Sequence, residues 1–392
     1  MKVALIHDWL IYMRGAEKVL EAFCELYPDA DLYTLFHRPG AVSATIEEHR
    51  ITTSMIQRFP LLRRRYGSYL PLFPLAIERF DLRGYDVVLS SSHCVAKGVI
   101  TSPETCHVSY LHTPMLYVWD DFHHYFPQNA RFSAFAALLT HYLKLWDATS
   151  ASRVDYLITI SHYLAKRVLK RYRRKATVIY PPVDTNFYSP GGCDDNFFLL
   201  ASALVPRKQL DLAIQAFNRL GLPLKIAGSG WQEEERRLRK MAGPTVEFLG
   251  WLDEARMRDH YRRCRALILP GPEDFGIAPV EAQACGKPVI AYGQGAALET
   301  IVPLNPRQPS TSHRVTPDVE HPTGVFFYEP TAEALQQAIG FFETHEVRFD
   351  RQCIRKHSLL FDKDVFKGRI SKFVMEKVAR WSGRDRKEGV SL

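Results

Sequence analysis

Two carboxylates, Glu273 and Glu281, bracket the run Asp274-Phe275-Gly276-Ile277-Ala278-Pro279-Val280. An ionised carboxylate only accepts hydrogen bonds, so it suits sugar-like hydroxyls, two at a time when they are adjacent. Gly276, Ile277 and Ala278 offer backbone N–H groups just ahead of a helix, where the helix dipole favours a phosphate. Earlier in the chain, Arg207 and Lys208 open another helix directly after a strand, and two adjacent cations there can neutralise a diphosphate. His112 follows a strand in Tyr110-Leu111-His112-Thr113-Pro114, with Tyr117 and Trp119 close behind. Arg14 and Gly15 stand between the first strand and the first helix, and Gly15 permits close backbone approach. Taken singly, the acids complement a helix N-terminus, the basic pair is a solvated surface and the histidine is structural. Their joint placement on strand–loop–helix turns favours a ligand site.

The elements that carry these residues are legible as alternating apolar runs and helical patterns, which argue for parallel α/β structure. Val3–Ile6, Val87–Ser90, Val108–Leu111 and Tyr156–Ile160 read as strands of a first half. The spacing predicts a helix over Glu17–Leu26, and Ser161 is placed to cap the next one. The stretch Ser189–Asn196 reads as a linker, after which the rhythm restarts with strands at Phe197–Ala201, Leu224–Ala227, Val246–Gly250, Ala266–Leu269 and Val289–Ala291. The buried strand that ends at Pro270, the two-glycine loop, Pro279 near a helix start and Gly286 at its stop form one strand–loop–helix unit. Its loop lies at the carboxyl end of a parallel strand, where open α/β sheets bind ligands. Glu281 is expected in the first turn of that helix. Residues 301–322 read as an inserted surface loop, and the last residues from Gly383 as frayed.

Composition sets the outer limits. With 392 residues, two domains are expected. Apolar content of 46% and charged content of 24% fit a globular protein, and no apolar run is long enough to predict a membrane-spanning helix. The seven cysteines show no CxxC, which argues against zinc and redox motifs; the odd count suits free thiols in a reducing cytoplasm. The charge of +8 points to an anionic partner. No helix-turn-helix, RNP-type or zinc-finger pattern is present, so nucleic acid is not the expected partner.

In combination, the Glu-x7-Glu element with Phe275-Gly276 inside it, the Pro-x-Lys element ending in Lys208 and the Gly228-Ser229-Gly230 turn resemble the retaining GT-B glycosyltransferases of family 4, nearly end to end. The resemblance implies two Rossmann-like domains facing a central cleft. These are an acceptor-binding domain over 1–188, completed by a helix at 365–382, and a nucleotide-sugar-binding domain over 189–364. It implies that Glu273 contacts the donor sugar and Glu281 the ribose. Lys208, the backbone near Gly276, Ile277 and Ala278, and Arg207 would hold the diphosphate. The family's usual arginine five residues before the lysine is here Ala203, a role that Arg207 can take up only if its side chain turns inward. By the same resemblance His112 faces the donor sugar, Arg14 and Gly15 belong to the acceptor and phosphate loop, and neither cofactor nor metal is needed.

The stretch from His112-Thr113-Pro114 to Trp119-Asp120 resembles a subgroup of polysaccharide mannosyltransferases, which implies mannose from GDP-mannose. Basic residues are interleaved with aromatic and aliphatic ones from Met55 to Ile77, including Arg63, Arg64 and Arg65. A second basic run extends from Lys166 to Lys175. Together they suggest peripheral docking on an anionic membrane surface, at the inner face of the cytoplasmic membrane, to reach a lipid-linked oligosaccharide acceptor. A soluble enzyme with a small-molecule or glucan acceptor, and a non-catalytic nucleotide-sugar-binding partner, are the alternatives.

Overall fold

The computed structural model describes residues 1–62, 66–119, 130–305 and 321–388, without the side chains of 117, 130–136 and 383–388. Arg63, Arg64, Arg65, Asp120, Asp121, most of the 301–322 segment and the last four residues lie outside the described residues. The chain divides into two units, Met1–Pro182 with Phe366–Leu392, and Val183–Val365.

The first unit is built on a parallel sheet. Its strands are β1 (Val3–His7), β2 (Asp31–Thr34), β3 (Ile51–Thr53), β4 (Val87–Ser92), β5 (Cys106–Leu111), β6 (Tyr156–Thr159) and β7 (Thr177–Val178). They lie in the order β3-β2-β1-β4-β5-β6-β7. β1, β4 and β5 are buried along their whole length, as expected where helices cover both faces of a parallel sheet. Between β1 and β4 the order reverses, and the register sets His7 beside Ser91. Helix α1 (Gly15–Leu26) follows β1 and buries Val19, Leu20 and Phe23. The long helix α2 (Ala130–Ser150) and α3 (His162–Tyr172) flank β6 in sequence, and Ser161 caps α3 by accepting from Leu164 N–H. The C-terminal helix, Lys363–Glu388, packs on this unit from Phe366 onward: Phe366 stacks on Phe23, and Trp381 Nε1 donates to the Glu104 carbonyl.

One buried ion pair pins the turn after β4. Lys97 Nζ lies 2.5 Å from Asp147 Oδ1 of α2, both side chains being essentially inaccessible. The other Asp147 oxygen accepts from Trp119 Nε1 and Tyr172 Oη, each at 2.7 Å. A buried ion pair adds little over an apolar replacement, but removing one partner strands the other.

The second unit repeats the plan with β8 (Phe198–Ala201), β9 (Leu224–Ala227), β10 (Val246–Gly250), β11 (Leu267–Leu269), β12 (Val289–Tyr292) and β13 (Gly324–Phe327), in the order β10-β9-β8-β11-β12-β13. The order reverses between β8 and β11. Helix α4 (Leu210–Leu220) buries Leu210, Ala213, Ile214 and Phe217 against this sheet, and Gly221 ends it in the left-handed conformation. Helix α5 (Ile277–Ala284) follows β11, and Gly286, at φ +77°, closes it.

The change of unit falls between Pro182 and Val183, ahead of the glycine pair read as a linker. Val183 N–H donates to the Phe361 carbonyl, and Arg355 donates to the carbonyls of Thr185 and Tyr188. The stretch read as a linker is itself tied down: Arg262 donates to Ser189, Arg263 to Asp195, and Asp194 pairs with Lys287 and Arg351.

Replacing Lys97 by Met leaves Asp147 without its cation. Urea unfolding of Lys97→Met should show a loss of about 3–5 kcal/mol. A loss below about 1 kcal/mol would mean that the pair does not anchor the turn after β4.

Candidate active site

Each unit gathers a polar cluster at the carboxyl ends of its two central strands, the place where an open α/β sheet leaves a crevice.

In the second unit the chain leaves β8 at Ala201 and makes one tight turn, Pro206–Lys208, before α4. Lys208 Nζ pairs with Glu273 Oε1, their side chains only 11% and 14% exposed. Gly271 makes the meeting possible, because a Cβ there would lie 2.8 Å from the Lys208 carbonyl group. From the other side, the Glu273 carbonyl accepts from Ala296 N–H at 2.9 Å. Gly276, at φ +84°, turns the chain into α5, and Gly276, Ile277 and Ala278 are partly exposed at its start. Main-chain N–H groups in a first turn have no acceptor within the helix. Arg207, partly exposed, shares the turn with Lys208, and Ala203 is exposed on the approach to it.

Glu281 lies in the second turn of α5, not the first, because the helix begins only at Ile277. Its Oε2 accepts from Tyr261 Oη at 2.9 Å. Burial first, and the Glu281 charge next, hold the phenols of Tyr261 and Tyr188 well above their ordinary range, so both remain protonated donors. The Gly228-Ser229-Gly230 turn serves packing: a Cβ at Gly230 would fall 2.0 Å from the Leu204 carbonyl oxygen.

In the first unit His112 belongs to a larger cluster. Its Nε2 lies 2.8 Å from Ser91 Oγ, and the same hydroxyl lies 3.1 Å from His7 Nδ1. His7 Nε2 is 3.4 Å from Glu17 Oε1. The second Glu17 oxygen accepts from Arg14 N–H at 3.0 Å. This last bond is half of a capping box; a guanidinium has no lone pair with which to complete it. Arg14 is thus the exposed N-cap of α1, its guanidinium stacked 4.4 Å from the Tyr12 ring. Gly15 is the first helical residue and has no positive φ, so its conformational freedom is not used. A serine hydroxyl donates only one hydrogen, so Ser91 links the tautomers of His112 and His7.

Asp8, fully buried at the end of β1, accepts from the backbone N–H groups of His93, Cys94, Val95 and Ala96 at 2.7, 2.9, 2.6 and 2.7 Å. His93 Nδ1 also lies 3.0 Å from Asp8 Oδ2, a charge contact out of line for a hydrogen bond. Burial works against both ionised forms, but each favours the other, so the Asp8 carboxyl is held down and the His93 imidazole is held up. His112 shifts the opposite way, driven down by burial and then by its electrostatic interaction with the neighbouring imidazoles, that of His93 first. His7, Asp8, Glu17, Ser91 and His93 were not singled out as site residues from sequence. Their signal was topological: each strand end becomes significant only once β1 and β4 are known to be neighbours.

A ring-nitrogen NMR titration should find His112 still neutral as the pH falls through 6.5, and His93 already protonated above it. The signs for stability are opposite. The His112 contribution is full above about 6.5 and falls as the pH drops below it, whereas that of His93 is full below about 6.5 and is lost as the pH rises through its folded value. In Ser91→Ala the His112 tautomer should change in the folded protein; an unchanged ring spectrum would refute the link.

A family model described as Glycosyltransferase Family 4 matches residues 13–187, and one described as Glycosyl transferases group 1 matches residues 190–357. An uncharacterized glycosyltransferase of Methanocaldococcus jannaschii is 32% identical over 152 residues, 38% of this chain and 43% of that protein. A GDP-mannose-dependent monoacylated alpha-(1-6)-phosphatidylinositol monomannoside mannosyltransferase of Corynebacterium glutamicum is 32% identical over 182 residues, 39% of this chain and 48% of that protein. The chain thus spans about half the length of these curated relatives. The crystal structure of HepE from Anabaena in complex with UDP-glucose superposes with a TM-score of 0.67 at 18% identity, covering 96% of this chain and all of that one, a likeness of fold. With a model matched in each half and the two parallel sheets in place, the chain belongs to the GT-B glycosyltransferases, its first half a Glycosyltransferase Family 4 domain and its second a Glycosyl transferases group 1 domain.

Proposed function

We propose that this chain transfers a sugar, with retention at the anomeric carbon and without a metal, from a nucleotide-diphosphate donor to a lipid-linked oligosaccharide in surface polysaccharide synthesis. The observation that carries the reading is the Lys208–Glu273 pair at the strand-order reversal of the second unit, beside the start of α5. Lys208, Arg207 and the N–H groups of Gly276, Ile277 and Ala278 meet the diphosphate. Glu273 accepts from the sugar hydroxyls. Glu281, with one oxygen on Tyr261, accepts from the ribose. His112, neutral and oriented by Ser91, serves the sugar with its remaining ring nitrogen. In the reaction the acceptor hydroxyl oxygen bonds to the anomeric carbon as the bond to the diphosphate oxygen breaks. The hydroxyl proton leaves with that oxygen, on the same face of the sugar. Cations and N–H groups stabilise the charge that grows on the diphosphate.

Mannose from GDP-mannose is the donor we propose, supported by the mannosyltransferase among the relatives. Peripheral membrane docking is supported by the exposed apolar side chains of Met55, Leu61, Leu72 and Leu75. No described helix is long and apolar enough to cross a membrane. The second basic run contributes less to this than its composition suggests. Arg174 is spent on the carbonyls of Ala151, Val154 and Asp155, and Arg171 stacks on Trp119, which leaves Lys166, Lys170, Arg173 and Lys175 exposed.

Thermal unfolding with GDP-mannose, UDP-glucose and ADP-glucose tests the donor: at a hundred times its Kd the true donor stabilises by about 2.7 kcal/mol. Glu273→Ala and His112→Ala should each lower kcat by about a hundredfold or more in folded protein. Near-normal turnover in Glu273→Ala would remove the assignment. Flotation with anionic liposomes should carry the protein at low salt and release it as salt screens the charge; absence of flotation at low salt would favour a small soluble acceptor.

A further inference from the structure

A cavity of about 740 Å³ opens in the first unit, within the range of small-molecule sites. Its walls come from the chain leaving β1, β2 and β3, and Tyr12, Phe36, Phe59, Leu62 and Tyr66 are among its apolar lining. The polar groups lining it are mostly committed to the fold. The Gln57 amide exchanges two hydrogen bonds with the backbone of His37, at 2.7 and 3.1 Å. The His37 ring lies 3.1 Å from Glu47. The Tyr12 hydroxyl accepts from Trp9 Nε1 at 3.0 Å. Arg38 is different. It lines the cavity, its side chain is exposed, and among the described residues its guanidinium has no ion pair.

An apolar chamber with an uncommitted cation among the described residues beside it is complementary to a molecule with an apolar body and an anionic end. Leu61, at the cavity, is held at φ +56° and is 62% exposed. A branched aliphatic residue in that conformation is strained, and here the strain accompanies an apolar side chain turned toward solvent. The cavity also adjoins the histidine cluster. Tyr12 bonds Trp9, and the Trp9 ring meets the His93 ring edge-on at 4.5 Å.

We propose that this cavity takes the hydrocarbon segment of a lipid phosphate, with Arg38 on the phosphate, so that the saccharide beyond the phosphate lies toward the histidine cluster. The proposal rests on the reading of the acceptor as lipid-linked and names how that acceptor is held.

Farnesyl phosphate, farnesol and inorganic phosphate separate the parts of the ligand, with binding followed by calorimetry and by fluorescence of Trp9 next to the wall. Wild-type protein should bind farnesyl phosphate saturably, farnesol at least tenfold more weakly, and phosphate alone not at all at the same concentration. Arg38→Ala should bring farnesyl phosphate down to the farnesol level, and Leu62→Asp should abolish binding of both. A retained thermal shift with the donor shows that each variant is folded. Failure of wild-type protein to bind farnesyl phosphate, or equal binding by Leu62→Asp, overturns the proposal. These measurements need no turnover, so they are distinguishable from the function reading. Saturable, Leu62-dependent binding in a protein that glycosylates only small soluble acceptors would sustain the cavity and overturn the lipid-linked acceptor. Transfer to a lipid-linked acceptor unchanged by Leu62→Asp would overturn the cavity and leave the acceptor class standing.

Discussion

Asp8 is the anion around which the first unit's cluster is organised. It sits at the end of β1 with no solvent contact, and a buried carboxylate is costly unless its oxygens are satisfied. Four successive backbone N–H groups after β4 satisfy it. Because those donors belong to one short stretch, the exit of β4 is fixed against the exit of β1. Lys97, just beyond that stretch, carries the constraint outward through Asp147 to Trp119 and Tyr172. The positions of Ser91 and His93, and through Ser91 that of His112, depend on this frame.

The second unit solves the same problem by close approach of main chain. Gly271 lets the turn that holds Lys208 lie against the chain leaving β11, and the loop after β12 holds the Glu273 carbonyl through Ala296. A side chain at Gly271 would have to move that turn, and Lys208 with it. The two units therefore present charged groups on rigid loops by different means, one by a buried anion and the other by absent side chains.

The sequence made buried strands legible where their apolar runs are continuous, as at β1, β8 and β12. It was silent on β2 and β3, which lie toward one edge of their sheet; β2 buries only alternate residues and β3 buries none completely. Glu273, Lys208 and the start of α5 were legible because glycines and a proline punctuate that region. Glu281 was misplaced by a turn, since punctuation marks a helix start only to within a few residues. The His7–Ser91–His112 link was beyond reach for a different reason. Its members come from the ends of three strands, β1, β4 and β5, whose neighbourhood is a property of sheet order, and no local pattern encodes it. The Ser189–Asn196 stretch looked like a linker by composition, yet its acids find cations far along the chain.

The resting pairing of Lys208 with Glu273 has a consequence for discrimination. The two charges neutralise each other across a nearly dry contact. A bare anion that draws the lysine away leaves the glutamate without its counter-charge, and a neutral polyol that draws the glutamate away leaves the lysine likewise. Only a molecule carrying both an anion and hydroxyl donors, at matching separation, compensates both sides at once. On the proposed reading of the site, the pair would act as a conjunction, rejecting the separate halves of a nucleotide sugar by the cost of leaving a charge behind.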